Sequence, residues 1–178
     1  MENDRSQLYN RIIISVLIAV IVFLLFICAF LFLTREEAPV LSPDIAPSKT
    51  DKYAEPMDDG SQGTMESPDG GGAASLAYTK NVAINLSTEK ARMMFGNPSR
   101  SNQDIIVQVI IQDTVIAQSG LITPGNKVTT LDLVPKIKSS LSEGTYIGKY
   151  LVLFYDRETG EKEIVTTEIA VNITVEKR

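Results

Sequence analysis

Ser139, Ser140 and Ser142 stand beside Lys136 and Lys138, close enough in sequence for a serine nucleophile served by a lysine base. Such a base works only when its ammonium is stripped of water, and residues 136–142 read as a polar connection. Asp156, Glu158 and Glu161 crowd one hairpin with the oxygen ligands that calcium prefers. Asp is also an ordinary turn residue, and Asp113, Asp132 and Asp156 all fall at expected strand ends. Asp58-Asp59-Gly60 lacks the alternating ligands and closing Glu of a calcium loop. The 178 residues contain no histidine, which removes the commonest neutral-pH acid/base and the commonest metal ligand. One cysteine, Cys28, leaves no internal disulfide and no Cys-based metal site within a chain. No glycine-rich phosphate loop follows an expected strand. The chain therefore reads as non-enzymatic, with no catalytic residue, cofactor or metal.

The elements around these residues divide into four segments. Residues 1–11 are polar, and residues 12–33 (IIISVLIAVIVFLLFICAFLFL) are apolar throughout except for Ser15. As a helix rising about 1.5 Å per residue, that run reaches roughly 33 Å, enough to cross the hydrocarbon core. A cleaved signal peptide would have an apolar stretch of only about 7–15 residues and then a small-residue cut site. Phe30-Leu31-Phe32-Leu33 instead runs into Thr34-Arg35-Glu36-Glu37. The expectation is an uncleaved transmembrane helix, with the bilayer as its partner. Arg5 and Arg11 ahead of the span place the N-terminus in the cytoplasm and the C-terminal domain outside. Ser15 and Ala19 have the small-xxx-small spacing of close helix pairs, but without glycine they read as lipid-facing positions.

Residues 34–77 hold five prolines, the Gly70-Gly71-Gly72 run and nine acids against three bases. Such a segment has little to bury and is expected to be a disordered spacer, spanning about 36 Å as a flexible coil. The formal charge of -5 belongs to this spacer, because residues 78–178 carry twelve bases and eleven acids. Nothing in that balance offers the basic face that nucleic acid requires.

Period-two alternation over residues 78–178 predicts seven strands: 80–87, 90–95, 104–112, 114–118, 127–133, 145–155 and 162–175. Gly96-Asn97-Pro98, Pro124-Gly125-Asn126, Glu143-Gly144 and Glu158-Thr159-Gly160 separate them as turns. The expected fold is all-β, an Ig-like antiparallel β-sandwich. Leu141–Tyr146 resembles a tyrosine corner, in which a Tyr hydroxyl bonds back to the preceding backbone. Together with Phe95-Gly96-Asn97-Pro98, Ser119–Gly125 and Gly144-Thr145-Tyr146, it resembles small anchored or secreted β-sandwich surface proteins of Gram-positive gut bacteria. The resemblance covers residues 78–178 and implies a fold and a cell-surface location, with no activity attached.

Two surfaces are candidates for a protein or cell-wall partner. Strands 104–112 and 145–155 are apolar on both faces, although a sandwich strand needs only one such face. The surplus side holds Ile106, Ile110, Ile147, Leu151 and Leu153, a patch suited to a partner unless loops or the preceding segment cover it. On the first reading, Leu151→Asp abolishes partner binding and leaves the melting temperature unchanged. The second surface is the pair of loops 96–102 and 119–126, where Arg100 is the charge able to grip a carboxylate or phosphate. Asn85-Leu86-Ser87 and Asn172-Ile173-Thr174 match the N-glycosylation pattern, with both asparagines on solvent faces. The chain thus reads as a single-pass surface protein displaying a binding or structural module on a stalk. The alternative is an accessory subunit of a membrane-spanning secretion or conjugation-type machine. Homo-oligomerisation is neither required nor excluded.

Overall fold

A computed structural model describes residues 2–33, 41–60 and 72–177. The chain divides into two compact units, Met1–Glu37 and Ala38–Arg178. In the first, α1 runs unbroken from Glu2 to Leu33. Its described side chains, 14–28 and 30, include Ile14, Val16, Leu17, Ile18 and Val20 through Phe26, all exposed. Consecutive residues point around the whole circumference of a helix, so this stretch has no polar side. Among the described residues no helix is long and apolar enough to cross a membrane. The expectation of a transmembrane helix over 12–33 is therefore not met by the described part.

The second unit is mostly β, and each of the seven expected strands is present. They are β3 (Asn81–Asn85), β4 (Lys90–Asn97), β5 (Gln103–Ile111), β6 (Thr114–Gln118), β7 (Asn126–Asp132), β8 (Gly144–Asp156) and β9 (Lys162–Glu176). Two short strands are additional, β1 (Glu55–Pro56) and β2 (Ala77–Tyr78). The expected antiparallel sandwich needs correction in its topology. All the strands belong to one mixed sheet, ordered β1-β7-β4-β3-β9-β8-β5-β6, with β2 beside β4. β3 lies parallel to the end of β9, pairing Asn81 with Asn172 and Asn85 with Glu176. Alternation fixes which face a residue occupies and carries no information on strand direction. The sheet curls until Ala117 of β6 bridges Leu133, just beyond β7, and the Val134 N–H donates to Ile116 O at 2.8 Å.

Inside the curl, Val82, Ile84, Phe95, Val107, Val109, Tyr150, Val152 and Ile173 form the main core. Phe95 and Tyr150 meet edge to face with centroids 5.1 Å apart, a favoured aromatic geometry. The Tyr146 hydroxyl donates to Ser142 O at 2.9 Å, the back-bond that Leu141–Tyr146 predicted.

The expected disordered spacer also needs correction. Residues 34–40 and 61–71 lie outside the described residues, but 41–60 and 72–77 pack on the β domain. Ile45 bridges Glu161, Thr50 bridges Leu121, and β1 pairs with Lys127 and Asn126 of β7. The acids that suggested a solvated chain make specific bonds here. Asp44 meets Lys162 at 2.9 Å, Asp51 Oδ2 accepts the Gly120 N–H at 2.5 Å, and Asp59 Oδ2 accepts the Ser99 N–H at 2.7 Å.

Candidate functional site

The outer face of β5 and β8 is the first expected partner surface. β5 is buried along its whole length, as a strand covered on both faces must be. Ile106, Leu153 and Tyr155 form a second small core with Leu121, while Ala46 and Leu151 pack against it. The cover comes from the preceding segment. Pro43 O accepts the Tyr155 hydroxyl at 2.8 Å, and the Ser42 hydroxyl accepts from Gln108 Nε2 at 2.9 Å. Burial pushes the Tyr155 hydroxyl up to about 12, with the Asp44 carboxylate adding to it. Ile106, Ile110 and Leu153 are buried and Leu151 is half-buried, so the patch of five does not exist as a surface. Ile147 alone of the five is well exposed, at 84%.

The second expected surface is assembled differently from a binding cleft. Loops 96–102 and 119–126 do meet, and a buried Asn97 joins them. Its Nδ2 donates to Gln103 O at 2.8 Å and Ile122 O at 3.0 Å, and its backbone carbonyl accepts the Gly125 N–H at 2.7 Å. The preceding segments then cover the outside of these loops. Asp59 holds Ser99, and the Ser101 hydroxyl donates to Ser75 O at 3.2 Å. Arg100 stays exposed, its Nη2 donating to the Ser75 hydroxyl at 3.5 Å.

Of the residues considered for nucleophilic chemistry, Lys136, Lys138, Ser139 and Ser142 line an open cleft of 810 Å³. Lys136, Lys138 and Lys177 surround it with Glu89 and Glu143, above Leu86 and Leu141. Ser139 and Ser140 donate to the carbonyls of Lys136 and Ile137, at 2.9 and 2.8 Å, closing the short 3₁₀ turn Ile137–Ser139. Lys138 Nζ pairs with Glu89 at 3.0 Å. The Ser139 and Ser140 hydroxyls thus serve the backbone, and Lys138 is half in water and paired with Glu89, which is not the desolvated lysine that such a nucleophile needs.

The Asp156 carboxylate accepts the N–H groups of Glu158 and Thr159, at 2.8 and 2.7 Å. Those bonds hold its pKa below the ordinary carboxylate value. The residue is spent on its turn. No group of three metal-ligating side chains is found among the described residues. Asn172 is exposed as expected; Asn85 is half-buried and its Oδ1 accepts the Thr88 N–H at 2.8 Å.

Sequence reasoning missed one charged cluster entirely. Asp132, at the end of β7, receives Lys52 at 2.5 Å, Lys90 at 2.7 Å and the Tyr53 hydroxyl at 2.9 Å. Lys90 also donates to the Tyr53 hydroxyl. Partial burial acts to raise the Asp132 pKa, but the hydrogen bonds from Lys52, Lys90 and Tyr53 outweigh it and hold the value at about 2. Two of the four residues lie in the segment read as a spacer, so no periodic pattern announces the cluster.

No family model matches the chain, and no curated protein matches it. Among solved structures, AggA, the major subunit of aggregative adherence fimbriae type I from Escherichia coli, is similar at 10% identity. The match covers 63% of this chain and 100% of that one, with a TM-score of 0.29, too low to support an argument about fold or role.

Proposed function

We propose that the chain is a single-pass membrane-anchored surface protein, in which α1 holds a β domain that acts as a binding or structural module outside the cell. The observation that carries this reading is α1 itself. It is one unbroken helix from Glu2 to Leu33, and its described apolar side chains are exposed on every side. A helix without a polar face has no stable position at a water boundary and is suited to lipid, where its backbone groups are satisfied internally. Arg5 and Arg11 ahead of the apolar run favour an N-terminus on the cytoplasmic side. The β domain is read as non-enzymatic, because its serine, lysine and aspartate clusters are engaged in turns and ion pairs.

Protease treatment of intact cells tests the arrangement. Release of a fragment containing residues 78–178, with residues 12–33 retained in the membrane pellet, is the expected result. A chain that stays whole until the cells are lysed, or that leaves the membrane in alkaline carbonate, rejects it.

A further inference from the structure

β9 presents an unpaired edge midway along its length. On one side it is bonded to β8 almost throughout, from Lys162 opposite Tyr155 to Val175 opposite Gly144. On the other side only its two ends are covered among the described residues. At the start, the Lys162 N–H donates to Asp44 O at 2.9 Å; at the far end, the Asn172 N–H donates to Lys80 O at 2.8 Å. Backbone groups two residues apart on a strand point the same way. The N–H and C=O groups of Thr166, Glu168 and Ala170 therefore point outward with Asn172, into a gap where no described strand lies. All three residues are exposed.

This edge has few of the usual protections. It carries no proline and no lysine between Lys162 and Asn172, although β9 bulges where Leu153 pairs with Thr166 and Tyr155 with Lys162. Ile164 is fully exposed and Val165 is 68% exposed beside it. Val165 and Thr167 also border a groove of 470 Å³ over the sheet face on the β8 side, with Gly72, Ala74, Gln103 and Phe154.

We propose that two copies of the chain pair antiparallel through this edge, with Thr167 opposite Thr167 on the two-fold axis. The occupant is a second copy because the stretch is self-complementary in this register. Val165 falls opposite Ile169, Ile164 opposite Ala170, and Thr166 opposite Glu168. From 164 to 170 apolar residues meet apolar residues and no like charges meet; Glu163 faces Val171 at the margin of this stretch. Moving the centre to residue 168 would set Glu168 against Glu168, which is repulsive, and moving it to Thr166 would set Glu168 against the apolar Ile164. In the favoured register Thr166 and Glu168 exchange their outward N–H and C=O groups across the axis, and Thr167 forms the close, non-hydrogen-bonded pair. The pairing joins two sheets into one and does not depend on membrane anchoring.

The test is site-specific cross-linking of the full chain carrying Cys28→Ser, in detergent micelles with copper–phenanthroline as oxidant. Thr167→Cys is expected to give a disulfide-linked dimer at least ten-fold faster than Thr145→Cys, an exposed β8 position away from the edge. A mixture of Val165→Cys and Ile169→Cys chains is expected to give a mixed disulfide. Val165 lies outside the core and Ile169 is only partly buried against it, so this arm does not depend on the Thr167→Cys chain folding. Equal cross-linking at Thr167 and Thr145, as a dimer held by α1 alone would give, overturns the proposal. So does the absence of both the Thr167 dimer and the mixed disulfide.

Discussion

Asp51 accepts the Gly120 N–H on its Oδ2 at 2.5 Å, while the Asp51 N–H returns to Leu121 O at 2.8 Å. This two-way contact fastens the segment ahead of the strands to the loop between β6 and β7. Gly120 is required by its closeness to that segment. A Cβ there would lie 2.8 Å from Asp51 Cα and 3.1 Å from its backbone N, atoms that cannot rotate away. Asp51 Oδ1 also accepts the Tyr53 N–H at 2.7 Å, so one carboxylate serves two backbone donors.

Gly120→Ala and Asp51→Ala should therefore release the same segment by different routes. The alanine at 51 leaves two backbone donors without their acceptor, at a cost of about 1–3 kcal/mol. Hydrogen exchange is the measurement. Amides of residues 41–60 should lose protection in both variants, with those of β5 and β8 largely unchanged. Loss of protection throughout the sheet would show that the contact holds the whole domain rather than one segment.

The seven long strands and the Tyr146 corner were legible because each has a local signature: alternation in one case, a turn followed by Tyr in the other. The surplus of apolar residues at Ile106, Ile110 and Leu153 was legible too, but only as an anomaly. Its explanation lies in Ser42, Pro43 and Ala46, which reach that face through one hydroxyl, one carbonyl and one methyl group. Contacts of that kind have no period, and they were hidden in a segment whose average composition resembles a disordered chain. The parallel pairing of β3 with β9 was equally invisible, since both directions give the same pattern of faces.

The covered face makes a sharp contrast between neighbouring residues of β8. Leu153 is 3% exposed against Ile106 and Tyr155, so Leu153→Ala should cost about 2–4 kcal/mol. Leu151→Asp should also lower the melting temperature, contrary to the expectation of a free partner patch, because it sets a carboxylate against that small core. Ile147→Asp, at an 84% exposed position, should change stability by less than about 0.5 kcal/mol. Thermal melts of the three variants check the order.

Asp132 supplies a pH dependence with a definite sign. Its pKa in the folded protein is about 2, below the ordinary value of 3.8, so folding favours its charged form. The resulting stability is fully present above about pH 4 and is lost as pH falls through about 2. The Asp132 side chain is 40% exposed, so solvent screening reduces the contribution to about 1 kcal/mol. Asp132→Asn should accordingly be less stable than the natural chain at pH 7 and nearly equal to it near pH 2. Urea unfolding at the two pH values measures the difference. A gap that persists unchanged at pH 2 would assign the loss to packing rather than charge.

The hairpin between β5 and β6 offers a gain in stability. Ile111 pairs with Thr114, leaving Gln112 and Asp113 as a two-residue loop, with φ of 46° and 61°. Positive φ at both positions is the type I′ arrangement that twists with the strands, and Asn-Gly suits it best. Gln112 in particular has no local reason to adopt a left-handed conformation. The Asp113 carboxylate is 96% exposed and 3.9 Å from Lys149 Nζ, so its ion pair contributes little. Replacing both residues with Asn-Gly should stabilise the domain by about 0.5–1 kcal/mol, the relief of strain exceeding the added freedom of glycine in the unfolded chain. Asp113→Pro should do the reverse, because proline fixes φ near −65° and cannot occupy the turn. The midpoint of urea unfolding should rise for the first variant and fall for the second, with an unchanged slope for the first. An Asn-Gly variant no more stable than the natural chain would show that the hairpin is held by the pairing of β5 and β6 rather than limited by its loop.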